Sequence, residues 1–154
     1  MDDRTKNIGS KFIERFKKIN DPIARIVTVH LFTESWLNKL LEEKTKTSGQ
    51  LKEWNYASKL LMVFNLNLIE EALYKNLKIL NGIRNGCSHN LDFNFENINL
   101  DDFSLKPIKN KIPKEVRKNL NSNTLDEKFL IISYITFGWL HNHCTLELKM
   151  NLNL

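Results

Sequence analysis

The stretch that decides the fold is "DPIARIVTVHLFTESWLNKLLEEK", residues 21–44. Aspartate followed by proline is typical of a helix start, because Asp21 can cap free backbone N–H groups and Pro22 needs no N–H at the first helical position. Apolar residues then recur at helical spacing, and Gly49 lies in the loop beyond them. The stretch therefore predicts a long helix that ends at about Lys44.

Three more helices are predicted from local signals on either side. Residues 10–20 carry phenylalanine and isoleucine at helical spacing. Asn55 stands before "YASKLLMVF" and is a suitable N-cap for a short helix. The acids at positions 70 and 71 suit the positive end of a helix dipole, so another helix is predicted from there to about His89.

The last third of the chain contains a long irregular segment and a fifth helix. Residues 91–123 hold two prolines and the alternating stretch "LDFNFENINL". They predict an excursion with room for a short strand or a turn of helix near Glu115. A capping box at Thr124 and Glu127 predicts the start of a helix that runs to about Lys149. Residues 129–140 are apolar nearly all round, which indicates a place inside the bundle or in an oligomer interface.

These signals predict a single all-α domain over residues 1–154, an up-and-down bundle of about five helices. A chain of this length can bury one core. Its 42% hydrophobic and 27% charged residues are typical of a soluble globular protein. The net charge of +5 and the pI of about 9.2 are compatible with a polyanionic partner.

The sequence also favours a cytoplasmic protein. Cys87 and Cys144 are too few for a disulfide framework and lack CxxC spacing. The N-terminal "MDDRTKNIGSKF" has no apolar core of a signal peptide. The longest apolar run, residues 129–140, is shorter than the roughly 20 residues that cross a bilayer, so no membrane association is predicted.

Three polar residues share helix faces that the apolar pattern predicts to be buried. Glu34 and His30 fall on the stripe of the long helix, and Arg84 falls on the stripe of the helix that ends near His89. The apolar members of the two stripes are Ile23, Val27, Leu37 and Leu41, and Leu73, Leu77, Leu80 and Cys87. Because a buried charge is costly unless it is paired, Glu34 is predicted to hold the guanidinium of Arg84, within about 6 Å.

Arg84, Asn85 and His89 form a candidate site for phosphate chemistry. Arginine can grip a phosphate bidentately, and histidine can take and give protons near neutral pH. On an ideal helix Arg84 and His89 lie about 140° apart, although Gly86 and the nearby helix end loosen that geometry. The simpler alternative is that Arg84 pairs at the surface and His89 only complements the helix dipole.

The motif "IRNGCSH", residues 83–89, resembles the RNxxxH signature of the HEPN superfamily, all-α domains found in many prokaryotic toxins and antiviral ribonucleases. Residues 56–93 resemble the matching segment of the mannitol-operon-repressor branch. "ARIVTVHLFTESWLNKLLEE" and "LDEKFLIISYITFGWL" are similar to its first and last long helices. The similarity covers residues 22–95 well and 124–145 loosely.

This resemblance implies a HEPN-like bundle that dimerises. In catalytic members the arginine and histidine of both protomers meet at a composite, metal-independent ribonuclease site. The matching positions here are Arg84 and His89, with Asn85 beside the arginine and Glu34 as its acidic support. Some superfamily toxins carry a modifiable tyrosine two residues after the histidine, where this chain has Leu91. The mannitol-repressor branch also contains regulators that are not nucleases.

A basic segment follows the motif. "KPIKNKIPKEVRK", residues 106–118, is either a solvated loop of a lysine-rich protein or a surface for a nucleic-acid backbone. The candidate RNA-binding residues in it are Lys106, Lys109, Lys111, Lys114, Arg117 and Lys118.

Neither a metal nor a cofactor is predicted. In "HNHC", His141 and His143 point about 200° apart on a helix, and no second cluster supplies further ligands. His30 is expected to be a partly buried histidine with one hydrogen-bonding partner, and Cys87 is expected to serve packing.

The sequence thus predicts a cytoplasmic, homodimeric, metal-independent endoribonuclease of HEPN type, in a toxin–antitoxin or antiviral defence setting. Its partners would be RNA and an antitoxin protein, and its product a 2′,3′-cyclic phosphate. A non-catalytic regulator or adaptor, resembling the mannitol-operon repressor and binding a protein or nucleic acid, is the alternative. Plain nucleic-acid binding through residues 106–118 is a third possibility.

Overall fold

The computed structural model describes residues 8–47, 49–106 and 124–150, and over these ranges the protein is an all-α bundle without strands. Its helices in the described ranges are α1 (Ile8–Phe16), α2 (Pro22–Lys44), α3 (Tyr56–Asn65), α4 (Glu71–His89) and α5 (Leu125–Asn142). Short 3₁₀ turns occupy Leu51–Glu53 and Phe95–Asn97, and a single π turn, His143–Glu147, follows α5. The predicted fold class is confirmed.

The helix starts follow from capping. Asp21 Oδ1 accepts a hydrogen bond from the backbone N–H of Ala24 at 2.7 Å, with Pro22 at the first helical position. Asn55 caps α3 in the same way, 2.9 Å from the N–H of residue 58. Thr124 and Glu127 form the reciprocal capping box of α5. All three predicted starts are confirmed, because each depends on residues within one turn.

The predicted ends at Lys44 and His89 are confirmed, whereas two other predicted helix ends are not. The first helix ends at Phe16 and not at residue 20, because the chain must turn before Asp21 caps the next helix. The regular part of α5 ends at Asn142, and the π turn carries the chain on to Glu147. The turn of structure near Glu115 that the sequence allowed lies outside the described residues.

Helix α2 lies at the centre of the bundle and packs against α1, α3, α4 and α5. Every residue from 129 to 140 in α5 is buried or half-buried, so this apolar helix does lie inside the bundle. No helix in the described ranges is both long enough and apolar enough to cross a membrane.

The buried face of α2 differs from the predicted stripe at its N-terminal end. Ile23 and Val27 are 48% and 36% exposed, whereas Leu37 and Leu41 are fully buried. The buried face of the first turns instead includes Ile26, Val29, His30 and Thr33. The prediction for Ile23 and Val27 was wrong because the packing partners turn that face of α2 outward, which leaves His30 inside.

Candidate functional site

The C-terminal half of α4 forms one wall of a polar cleft. Asn81, Arg84 and Asn85 share a helix face because they are three and four residues apart, and His89 follows one turn after Asn85. The cleft has a volume of about 390 Å³, within the usual range of small-molecule pockets, roughly 300–1,000 Å³. Its lining residues are His30, Asn55, Tyr56, Ala57, Asn81, Arg84, Asn85 and His89.

The structure brings three of the four residues predicted for the phosphate site into this cleft. Arg84, Asn85 and His89 all line it, although α4 stays helical through His89 and an ideal helix separates Arg84 from His89 by about 140°. Both side chains reach the same space because the cleft is wide enough to meet two flanks of the helix. Glu34 is not among its lining residues.

Arg84 has a different partner from the one predicted. Its Nη1 donates to Asn85 Oδ1 at 3.3 Å. The carboxylate of Glu34 instead receives a hydrogen bond from Lys59 Nζ at 2.7 Å, so the predicted pairing of Glu34 with Arg84 was wrong. Arg84 is half-buried, and within the described part of the chain its guanidinium has no carboxylate partner.

The ion pair between Glu34 and Lys59 joins α2 to α3. The side chain of Lys59 is 5% exposed and that of Glu34 is 23% exposed. Lys59 comes from the buried face of α3, between Tyr56 and Leu60, so its ammonium meets α2 directly. Lys59 was not predicted as a partner of Glu34, although a lysine within the pattern of Tyr56, Leu60 and Val63 signals a buried cation.

His30 forms part of the floor of the cleft. Its ring stacks on that of Tyr56, with centroids 4.1 Å apart and planes 28° apart. Its Nε2 lies 3.1 Å from Asn81 Oδ1. Burial lowers the pKa of His30, and the hydrogen bond that its Nε2 donates to Asn81 opposes this only in part. His30 was predicted to be partly buried with one hydrogen-bonding partner; the side-chain partner is Asn81, and the residue is buried more fully than predicted.

Tyr56 and Thr33 hold this floor in place. Thr33 Oγ1 donates to the backbone carbonyl of His30 at 2.9 Å and lies 2.9 Å from the hydroxyl of Tyr56. Since the Thr33 proton is used, the Tyr56 hydroxyl is the donor to Thr33 Oγ1. Burial raises the pKa of Tyr56, so the phenol stays neutral near pH 7.

His89 lies at the open end of the cleft. It is the last residue of α4 and is exposed, and its imidazole makes no hydrogen bond or ion pair with the described residues. Nearby, burial raises the pKa of the Cys87 thiol, and Asp21 raises it further. Cys87 is therefore protonated near neutral pH, which fits packing better than nucleophilic attack.

The two remaining histidines, His141 and His143, do not line the cleft and have other partners. His143 Nδ1 lies 2.7 Å from a carboxylate oxygen of Glu147, and its Nε2 lies 2.6 Å from the backbone carbonyl of Leu68. His141 faces the rings of Trp36 and Phe137, and burial lowers its pKa. Among the described residues, no group of three or more histidine, cysteine, aspartate or glutamate side chains is arranged to hold a metal ion.

The basic segment is described only at its first residue. Lys106 is exposed, and its Nζ lies 2.7 Å from Glu70 Oε2, next to the N-terminus of α4. The other candidate RNA-binding residues, Lys109, Lys111, Lys114, Arg117 and Lys118, lie outside the described residues.

Comparisons with protein-family models, with curated proteins and with solved structures gave no match.

Proposed function

We propose that this protein is a metal-independent endoribonuclease of HEPN type that acts as a cytoplasmic homodimer. The setting we propose is a toxin–antitoxin or antiviral defence system, with an antitoxin protein as a second partner. The observation that carries the proposal is the convergence of Arg84, Asn85 and His89 on one polar cleft. A surface-exposed motif without a concavity would not support chemistry on a bound strand.

The state of Arg84 supports phosphate binding. Its guanidinium makes one long hydrogen bond, to Asn85, and most of its donors remain available. Glu34 is paired with Lys59, and no carboxylate among the described residues forms an ion pair with the arginine. The floor beneath it consists of neutral side chains, His30 and Tyr56 among them, so the positive charge at the cleft belongs to Arg84.

His89 supplies the proton transfers. Its imidazole removes the proton of an RNA 2′-hydroxyl, and the 2′-oxygen attacks the adjacent phosphorus. The bond from phosphorus to the 5′-oxygen breaks, and that oxygen takes up a proton from an imidazolium. The products are a 2′,3′-cyclic phosphate and a 5′-hydroxyl. Arg84 stabilises the charge that develops on the phosphoryl oxygens, and in a homodimer the second protomer contributes the same two groups.

A non-catalytic regulator or adaptor is the second candidate. It is favoured by an exposed apolar row along α2, formed by Ile23, Val27 and Leu31 at four-residue spacing. Such a row on a helix is a common docking face for a protein partner. In this case the cleft would be a binding pocket, and His89 would not be needed for proton transfer.

Cleavage of RNA in the presence of a chelator separates the two proposals. The nuclease proposal expects labelled single-stranded RNA to be cut to products with 2′,3′-cyclic phosphate ends, and His89→Ala to abolish cutting. The matched control is His143→Gln, a histidine bonded to Glu147 and outside the cleft, which should cut normally. RNA that stays intact with wild-type protein would end the nuclease proposal and favour the adaptor.

A further inference from the structure

Asn81 occupies a special position in the cleft wall. It lies one turn before Arg84 on α4, is half-buried, and touches the buried His30 across the gap to α2. Its Oδ1 is 3.1 Å from His30 Nε2. Because an amide oxygen can only accept, Nε2 of His30 carries the hydrogen and donates it. This bond fixes which end of the Asn81 amide faces α2.

His30 is itself held rigidly. Its ring stacks on the ring of Tyr56 in the floor of the cleft, and only 5% of the residue is exposed. Its backbone carbonyl accepts a hydrogen bond from Thr33. Desolvation disfavours the imidazolium, so His30 is a neutral ring with a single N–H near pH 7.

The other end of the Asn81 amide is left unused. Its Nδ2 has two hydrogens, and within the described part of the chain neither is donated to another group. The cleft therefore presents these donors beside the guanidinium of Arg84. Asn85 differs in being exposed, and its oxygen accepts from Arg84 on the same helix and not from a buried group of another helix. Unused donors next to a cation in a concave site match a ligand that is rich in anionic oxygens.

We propose that Asn81 is a further phosphate-binding residue of this site, with Nδ2 donating to a non-bridging oxygen of the phosphodiester that Arg84 holds. His30 is a positioning residue that acts through Asn81. The proposal rests on the proposed ribonuclease function for the identity of its ligand. A neutral donor of fixed direction stabilises negative charge on phosphorus-bound oxygen without a reorganisation cost during reaction.

The role of His30 follows from the symmetry of the amide group. An asparagine without a partner can turn its amide by 180° and present oxygen to the phosphate, which is repulsive. Donation from His30 Nε2 to Oδ1 selects the orientation with Nδ2 toward the cleft. Loss of this one hydrogen bond is therefore expected to weaken phosphate binding although His30 does not touch the ligand.

The first test is binding of a single-stranded oligonucleotide with 2′-fluoro groups throughout, which cannot be cleaved. Its dissociation constant is measured by fluorescence anisotropy. Asn81→Ala should weaken binding ~10- to 100-fold, the effect of one hydrogen bond to a charged group. Asn81→Asp should weaken it further. The control is Asn65→Asp, which adds the same charge at the far end of α3, ~13 Å along the helix from Tyr56.

The second test concerns His30. His30→Phe keeps a ring against Tyr56 but removes the N–H, and should weaken binding as much as Asn81→Ala. His30→Gln keeps a donor and should restore most of the affinity. The double variant of His30→Phe with Asn81→Ala should bind no more weakly than either single variant, because the two residues act as one unit. Additive losses would show that His30 acts by some other route.

The outcomes separate this inference from the function on which it rests. Wild-type protein that binds the oligonucleotide but leaves RNA intact overturns the ribonuclease proposal alone. Asn81→Ala that binds like wild type overturns the role of Asn81, even where His89→Ala abolishes cleavage. Wild-type protein that does not bind the oligonucleotide overturns both. Thermal unfolding of each variant checks the fold, and His30→Gln keeps the test decisive if His30→Phe unfolds.

Discussion

Each half of α4 contains an asparagine, and the two differ in how many hydrogen bonds they make within the fold. Asn76, in the N-terminal half, is fully buried, and both ends of its amide bond the backbone of Ser104, at 2.9 Å and 2.7 Å. Asn81, five residues later, is half-buried and uses one end only. The first asparagine is satisfied by the fold, whereas the second keeps donors for a ligand. Unused hydrogen-bonding capacity in a concave place therefore distinguishes the site from the scaffold.

The two halves of α4 also differ in how deeply the other residues around each asparagine are buried. The N-terminal half of α4 buries Leu73, Leu77 and Leu80 in the core. No residue from 81 to 89 is fully buried, and this half carries the arginine and the histidine of the motif. Substitutions in the first half should therefore change stability, and substitutions in the second half should change activity.

The largest effect is expected at His89, the last residue of α4. His89→Ala should lower the rate of RNA cleavage ~10²- to 10⁴-fold, the usual contribution of a general acid–base group. The midpoint of thermal unfolding should stay unchanged, because His89 is exposed and bonds no described residue. A cleavage rate close to that of wild type would show that this half of the helix takes no part in the reaction.

The ion pair between Glu34 and Lys59 is expected to give the next largest effect, on stability. Lys59→Met removes a buried cation and leaves Glu34 without its partner, so the free energy of unfolding should fall by about 3 kcal/mol, measured with denaturant. The exposed ion pair of Lys75 with Glu71 offers the control, and Lys75→Met should leave stability nearly unchanged. Unchanged stability of Lys59→Met would contradict a structural role of this ion pair.

In the first half of α4, Asn76→Ala should cost about 2 kcal/mol of stability, because it leaves the N–H and carbonyl of Ser104 without their partners. The cleavage rate per folded molecule should be unchanged. Chemical denaturation and a cleavage assay on the same preparation measure both. Lost activity at full stability would contradict the division of α4 into a structural and a functional half.

The smallest expected effect is a pH dependence from His30. Its pKa is lower in the folded protein than the ordinary value of 6.5, so the unfolded chain binds more protons below about pH 6.5. Stability should therefore fall as the pH falls through 6.5 and stop falling below the folded-state pKa. His30→Gln should make this slope shallower. Since His141 shifts in the same direction, part of the slope should remain. Thermal unfolding between pH 5 and 7.5 measures it.

Local signals in the sequence were enough for the helices, but not for their mutual orientation. Caps at Asp21, Asn55 and Thr124 act within one turn, so each predicted start is confirmed. The rotation of α2 about its own axis depends on four neighbouring helices, and for that reason Ile23 and Val27 were assigned to the wrong face.

The candidate site was predicted where it lies on one helix and missed where it crosses between helices. Arg84, Asn85 and His89 form a short pattern on α4. The contact of His30 with Asn81 joins residues 51 positions apart, and Lys59 reaches Glu34 from a third helix. Sequence spacing carries no information on such contacts. An unpaired Glu34 did show that a cation was needed, but the choice between Arg84 and Lys59 required the packing of α3 on α2.

Under the proposed function, the bond between Lys106 and Glu70 has a consequence for the length of RNA that would reach both cations. It places the start of the basic segment at the first turn of α4, fourteen positions before Arg84. At 1.5 Å per helical residue, Arg84 and Glu70, which binds Lys106, are separated by ~21 Å along the axis. With bases stacked at about 3.4 Å per nucleotide, a strand that meets both cations spans roughly six nucleotides. Shorter oligonucleotides would occupy the cleft or the lysine, but not both.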